Sequence, residues 1–514
     1  MSKINAFFAR QFGGGGNSAA GGALSSSSAA AAHQGASATA DGGGGGGGGG
    51  DGGGGGSAHA FGVALAGAAV TYDPESNTSL FGNPQCETVT TLPEASRRRG
   101  LCNQGALVVA NADFVCYSIK SNIRVIHRTT GSRTLIKLPP GAGAAKVTPQ
   151  DMALSGMTAV SSEASGILAC ATSEGNLLVW ELVARVPTAG GAETAGAGAA
   201  TGSMAETVEV LITRAVSVEG GGAQSVAWHP SGCRFLAIVC GASVVISDIW
   251  SMPVRTVSLS PPAAGERPSI AGAVCEGHYK QVTDASFSSR GNGDVLATAA
   301  EDGTVRVWDT RVSLLEGAKG FPRCISCLRA FRAAPEGATL SRVLVVDAET
   351  ALVTGDEENR LLKVWPAASG PAASGAAGTM GTGAGQESTL EALLPLQVLS
   401  LPGRGALSLE VDPGGEFVFA ADTGKGLLYA LHLAQGEPQS LRMDYLRPYS
   451  LAHPVQSFAV LSSDPEPEFG YEDRSPSPED RVLQLVCVQT KPVQIYRITA
   501  SDALPPAGVL ARMA

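Results

Sequence analysis

Short apolar runs separated by Gly, Asn or Asp recur from about residue 105 to the C-terminal region. Residues 276–311, EGHYKQVTDASFSSRGNGDVLATAAEDGTVRVWDTR, show the arrangement most fully. The stretch opens with Gly277-His278 and closes with Trp308-Asp309. Apolar runs punctuated by turns lie between them, the pattern of one four-stranded β-propeller blade. A blade exposes two apolar faces that only neighbouring blades can bury, so one recognisable unit predicts a whole ring.

A third blade strand typically follows a turn of Asp, Asn or Gly and ends near an aromatic residue. That pattern places third strands at 123–127, 177–180, 243–248, 304–308, 360–365, 426–433 and 493–496. Apolar runs upstream predict second strands at 107–110, 167–171, 235–239, 295–299, 352–354, 417–420 and 482–488. These runs are short, β-branched and bounded by Gly or Asp, which excludes amphipathic helices. The sequence therefore predicts an all-β fold, a seven-bladed β-propeller. Blade spacing is roughly 55–65 residues, longer than the usual repeat of about 40–45. Gly/Ala/Ser-rich or acidic, Pro-rich insertions at about 187–205, 367–389 and 463–480 account for the excess.

Composition changes the picture at the N-terminus. The chain has 67 Gly and only 5% aromatic residues. The run 42–56 is glycine broken only by Asp51, and it has no apolar area to offset its ordering entropy. Residues 1–84 are predicted to be a disordered Gly-rich tail, 85–506 the propeller, and 507–514 a short tail. A short apolar patch (Ile4, Phe7, Phe8, Phe12) would allow the first tail to dock on a partner. The Ser/Ala-rich start with Lys3 and Arg10 weakly resembles an organelle transit segment, but such segments are usually richer in Arg.

A net charge of −10 argues against direct RNA binding as the dominant activity, because phosphate neutralisation needs a basic surface. Arg97-Arg98-Arg99 reads as a solvated cluster. No apolar stretch is long enough for a membrane span. The ten cysteines are scattered and read as buried thiols rather than a disulfide framework.

The chemistry on offer is structural. His278, Asp302 and Trp308, with Thr298 as the hydroxyl member, are expected to form a hydrogen-bonded network within their blade. Cys324-Ile325-Ser326-Cys327 lacks the second pair that a zinc ribbon needs. It falls in CISCLRAF, read as an innermost strand with core cysteines. No GxSxG, HExxH or P-loop is present, and no GxG follows a strand and opens a helix. No enzyme activity, cofactor or metal is expected. Ser475 and Ser477, each followed by Pro in an acidic loop, are candidate phosphosites.

Several segments carry a family resemblance. They are LACATSEGNLLVWEL at 168–182, VTGDEENRLLKVW at 353–365 and LLYALHL at 427–433. Arg442-Met443-Asp444-Tyr445, AHPVQSF at 452–458, LVCVQT at 485–490, Gln494-Ile495-Tyr496 and Leu504-Pro505-Pro506 follow in order. Together they resemble the N-terminal WD-repeat domain of the enhancer of mRNA-decapping protein 4 (Varicose) family, from about Gly105 to Pro506. The resemblance implies a non-catalytic scaffold that promotes 5′ cap removal and mRNA decay. Its implied partners are the decapping enzyme, the decapping activator subunit and other processing-body proteins, in the cytoplasm. The chain has no Nudix-type Glu-rich helix, so it is not expected to cleave a cap itself. Family members continue into a Ser-rich linker and a helical C-terminal domain, so functions carried there are not expected of these 514 residues.

Arg442, Asp444 and Tyr445 are a candidate partner contact, because they mix charge and aromatic character on a blade connection. The competing reading is that Met443 and Tyr445 begin the innermost strand of the last blade. A second functional class comes from Trp308-Asp309-Thr310-Arg311. It fits the W-D-x-R ending of substrate receptors of cullin-type ubiquitin ligases, in which Arg311 would dock on the adaptor.

Overall fold

A computed structural model describes residues 62–76, 81–92, 105–140, 146–155, 164–185, 207–217, 222–230, 232, 234–250, 272–288, 293–311, 325–347, 351–356, 358–366, 390–436, 440–463 and 481–506. The second strands explain the architecture. Val295–Ala300 and Phe417–Asp422 are buried at every position, so they read as continuous apolar runs rather than alternating ones. A strand reads this way when both faces of its sheet are covered. Here the covers are the neighbouring blades.

Seven sheets result, each built on an antiparallel meander of consecutive strands, and two of them carry a fifth strand from the N-terminal region. The seven predicted third strands all fall in the third strands of these sheets, for example Asn122–His127, Ser243–Asp248 and Thr304–Asp309. Six blades are built from contiguous chain. The seventh takes Val455–Ser463, Val482–Gln489 and Pro492–Thr499 from the C-terminal end and Gln85–Thr91 as its outermost strand. That strand pairs antiparallel along Pro492–Thr499 and closes the ring.

Seven apolar clusters lie between adjacent blades. The cluster at the closing joint combines Val108, Val115, Tyr117 and Ile126 of the first blade with Val486, Val488, Val493 and Ile495 of the seventh. Each such side chain contributes about 1.5–3 kcal/mol when fully buried, which makes the joint a substantial part of the ring. A one-turn helix, Ala500–Ala503, packs its two buried alanines against the sixth and seventh blades.

The structure corrects four expectations. Residues 107–110, read as a second strand, belong to the innermost strand Val108–Ala110; the second strand is Phe114–Ile119. Asn111 Oδ1 accepts the N–H groups of Asp113 and Phe114 and reverses the chain between them. CISCLRAF is not an innermost strand: Cys327–Arg332 is the outermost strand of the fourth blade, and Cys327 is exposed. Likewise Ser440–Ser450 is the outermost strand of the sixth blade, not the start of the seventh. Apolar content alone does not separate an inner strand from an outer one, since both present one face to a neighbour.

The boundary drawn at residue 84 also moves. Val63–Ala64 pairs with Tyr445 and Leu446 on the sixth blade, and Ala69–Thr71 runs parallel to Val398–Ser400 on the fifth. Leu65 and Tyr72 are buried anchors, their N–H groups bonded to Asp444 O (2.7 Å) and Ser400 O (3.0 Å). Two side chains hold a segment whose composition otherwise matches the tail. The insertions at 187–205 and 367–389, residues 464–480, Cys324, Arg97-Arg98-Arg99, the Ile4–Phe12 patch and 507–514 lie outside the described residues.

Candidate interaction site at the central channel

Innermost strands line the channel, and four of them share an irregularity. Pairing shifts by one residue between Pro149 and Asp151, Val282 and Asp284, Leu340 and Arg342, and Val455 and Ser457. A bulge of this kind re-aims the residue that follows it. The re-aimed residues tie blades together. Asp151 accepts the N–H of Ala106 (2.5 Å) from the first blade, and the hydroxyl of Ser225 (2.6 Å) and N–H of Val226 (2.8 Å) from the third. Ser457 Oγ accepts the N–H of Leu107 (3.0 Å), linking the seventh blade to the first.

Asp284 accepts the N–H of Val343 (2.9 Å) and faces Arg342 (3.3 Å). The Arg342 guanidinium also donates to Leu409 O (3.0 Å) and to Glu410 Oε1 (2.9 Å), so the fourth, fifth and sixth blades meet at one charge cluster. Burial is the main force on Glu410; with the repulsion of Asp284 and Asp151 it outweighs the pull of Arg342 and pushes the carboxyl up to about 7. Burial opposes the Arg342 charge, but Asp284 and Glu410 hold it above its ordinary range. Two cavities of about 310 and 370 Å³ flank the cluster, and Ala106, Ser225, Asp284, Arg342 and Glu410 line both.

Sequence reasoning missed Arg342 and Glu410. The signal was a single charge interrupting an apolar innermost strand, as in LSRVLVVD at Leu340–Asp347 and LSLEV at Leu407–Val411.

The structure brings His278, Thr298, Asp302 and Trp308 together in the fourth blade. Trp308 Nε1 donates to Thr298 Oγ1 (2.9 Å), and Thr298 Oγ1 lies 2.7 Å from His278 Nε2. Thr304, absent from the predicted set, completes the chain: its hydroxyl donates to Asp302 Oδ1 (2.5 Å) and lies 3.1 Å from His278 Nδ1. A hydroxyl has one proton to donate. With the Thr304 proton on Asp302, the Thr304 oxygen is left to accept from His278 Nδ1. Burial works against the Asp302 charge, but bonds from His278, Thr304 and the Tyr279 N–H outweigh it and hold the carboxyl well below its usual range. Asp302 sits before Gly303, whose φ of +74° closes the turn. The corresponding turn of the fifth blade uses Asn359 at φ +57°, with its side chain tied to Leu407 O and Ser341 Oγ.

Among the described residues, only the fifth blade repeats the indole–hydroxyl pair, Trp365 Nε1 to Thr354 Oγ1 at 2.9 Å. The second and seventh blades place fully buried Cys170 and Cys487 at the threonine's register position, and the first places the buried Tyr117 there.

The candidate contact at Arg442, Asp444 and Tyr445 is corrected in two of its three members. Asp444 is 6% exposed and bonded to His432 Nδ1 (2.6 Å), and Tyr445 is 1% exposed beneath Gly62. Neither is available to a partner; only Arg442 is exposed. Arg311 is exposed, its guanidinium bonded twice to Asp309 (2.7 and 2.9 Å). Ser475 and Ser477 lie outside the described residues. Among the described residues no helix is long and apolar enough to cross a membrane.

Residues 272–309 match the model of the family "WD domain, G-beta repeat". No curated protein sequence matches the chain. Among solved structures, the WD40 domain of Toxoplasma gondii coronin is similar at a TM-score of 0.47 and 12% identity, covering 83% of this chain and 91% of that one. A mitotic checkpoint complex chain is similar at a TM-score of 0.45 and 12% identity, covering 82% and 93%. Likeness at this level carries no argument about function. The matched stretch supplies the outermost strand of the third blade and the first three strands of the fourth, so the closed ring is a seven-bladed β-propeller in which one stretch matches a WD repeat.

Proposed function

We propose that this chain is a non-catalytic scaffold of the mRNA decapping complex, acting in cytoplasmic processing bodies and binding the decapping enzyme and its activator through the propeller. A WD40 propeller in general serves as a protein-interaction scaffold. What supports the finer reading is where the resembling segments fall. Residues 427–433 lie in the third strand of the sixth blade and 442–445 in its outermost strand. Residues 452–458, 485–490 and 494–496 then span the first three strands of the seventh. The similarity thus follows successive strands rather than one isolated loop. Affinity would come from short linear motifs ordering on a rigid face, with linkers raising their effective concentration. Affinity purification of the tagged full chain from cells tests the reading. Decapping enzyme and activator should be recovered together, and recovery of neither overturns it.

The exposed Arg311 favours a second reading, a substrate receptor of a cullin-type ubiquitin ligase. On that reading Arg311→Ala abolishes recovery of the ligase adaptor. On the first it leaves the recovered set unchanged.

A further inference from the structure

The first blade is a basic island in an acidic chain. Residues 107–138 hold five cations, Lys120, Arg124, Arg128, Arg133 and Lys137, against one acid, Asp113, a balance of +4 where the whole chain has −10. Three of the five gather at the outer rim. Arg133, Leu135 and Lys137 share one face of the outermost strand, Arg133–Lys137, because successive side chains alternate between faces. All three are exposed. Arg124, on the third strand, stands directly across from Leu135 and so shares that face. The Arg133 guanidinium donates to Val89 O (3.2 Å) across the closing joint. Among the described residues neither Arg124 nor Lys137 has a carboxylate partner.

The backbone of the same strand is also unpaired on one side. The His127 N–H donates to Ser132 O (2.9 Å), and bonded pairs alternate along an antiparallel ladder. Thr134 and Ile136 therefore turn their peptide groups to the third strand, and Arg133, Leu135 and Lys137 turn theirs outward. Among the described residues no strand pairs with that outer edge. Three other blades differ. Val63–Ala64 pairs with the outermost strand of the sixth, Ala69–Thr71 with that of the fifth, and Glu391 bridges to Phe331 on that of the fourth. The rim of this ring accepts added strands.

Charge decides which strand the first blade can take. A second copy of Arg133–Lys137, run antiparallel about Leu135, would set Arg133 against Lys137 at both ends. Like charges directly opposite are destabilising, and edge cations of this kind bar self-pairing. The strand that fits has an acid, an apolar residue and an acid at alternate positions.

We propose that the outer edge of Arg133–Lys137 binds an acidic extended segment of a protein partner by strand addition, with Asp or Glu opposite Arg133 and Lys137 and an apolar side chain opposite Leu135. Main-chain bonds supply affinity and the alternating side chains supply selectivity. The site lies on the outer rim, away from the channel, and does not rest on the decapping reading.

The test uses purified full chain and immobilised peptide pools read by biolayer interferometry. The pools have random flanks and a core fixed as acid-x-Ile-x-acid, amide-x-Ile-x-amide or lysine-x-Ile-x-lysine. The acid pool should bind about fivefold or more tighter than the amide pool, as two opposite-charge cross-strand pairs allow. High salt should remove most of that difference. Peptides selected from the acid pool should lose about tenfold or more when their core backbone nitrogens are methylated, because the added strand then forfeits several hydrogen bonds. A charged patch without strand pairing would not respond in this way. An Arg133→Glu, Lys137→Glu double variant should reverse the preference, to the lysine pool, at unchanged melting temperature. If that variant fails to fold, because Arg133 also bonds Val89 O, Lys137→Glu alone is the independent arm and should erase the preference for acids over amides. Equal binding of the acid and amide pools, indifference to methylation, or a Lys137→Glu chain that still prefers acids overturns the proposal. So does an oligouridylate that binds this strand when no acid peptide does, which would assign the patch to a nucleic-acid backbone.

Discussion

Thr298→Val is the most direct probe of what holds the fourth blade together. The substitution keeps the side-chain volume and removes one hydroxyl. That hydroxyl accepts the Trp308 indole N–H at 2.9 Å and meets His278 Nε2 at 2.7 Å. Thr298, His278 and Trp308 are all buried, so water cannot replace the lost partner. Leaving a buried polar group unpaired costs about 1–3 kcal/mol, and two groups are orphaned here. The gain from burying a methyl in place of a hydroxyl offsets part of this, so the net loss should be about 2–4 kcal/mol. Against a typical domain stability of about 5–15 kcal/mol this is a large fraction. Thr298→Ser, which keeps the hydroxyl, should lose only about 1 kcal/mol for its missing methyl. Urea unfolding followed by tryptophan fluorescence gives both values. A double-mutant cycle with Trp308→Phe then isolates the bond: once the indole donor is gone, Thr298→Val should cost about 1 kcal/mol less. A Thr298→Val protein within about 0.5 kcal/mol of wild type, or strictly additive losses, would refute the reasoning.

Three further outcomes follow from the geometry. Glu410 titrates higher in the fold, up to about 7, than in an unfolded chain, at about 4.3. The folded state therefore binds the extra proton, and stability falls as pH rises through that window. Glu410→Gln should match wild type near pH 4 and exceed it by about 1–3 kcal/mol at pH 8, as read from urea midpoints; identical pH profiles would contradict the assigned environment. Deleting residues 85–92 removes the outermost strand of the seventh blade and Leu92 from the closing joint. The exposed edge of Pro492–Thr499 should then drive self-association, and a monomeric elution profile would show that closure is dispensable. Gly62→Leu places a side chain where the Tyr445 ring lies 2.3 Å from an added Cβ. Hydrogen exchange at the Leu65 and Tyr72 amides should rise sharply while the global unfolding midpoint moves little, since those amides bond across to Asp444 and Ser400.

Burial on both faces makes second and third blade strands conspicuous, and this is why their positions were legible as apolar runs bounded by Gly, Asn or Asp. The innermost and outermost strands were not. Met443 and Tyr445 were placed at the start of the seventh blade because an apolar alternation looks the same on either side of a sheet. Likewise Asp444 carries no sign in the sequence of the His432 ring that meets it at 2.6 Å. Of the channel cluster, the residues themselves were visible as odd charges within apolar strands, but their meeting was not. Arg342 and Glu410 are far apart along the chain and come together only because adjacent innermost strands converge on one axis.

By itself, then, the sequence determined the class of fold, the number of blades and the polar bracing of the fourth blade. Those properties are set by local pattern: a turn residue, a run of burial, a His, Thr, Asp and Trp within one repeat. Tertiary structure alone decided how the ring closes, which strand faces the axis, and which charges share a cavity. Closure pairs residue 85 with residue 497, and the channel joins side chains from several blades. No pattern within a single repeat encodes either, because both depend on the seven blades returning to meet themselves.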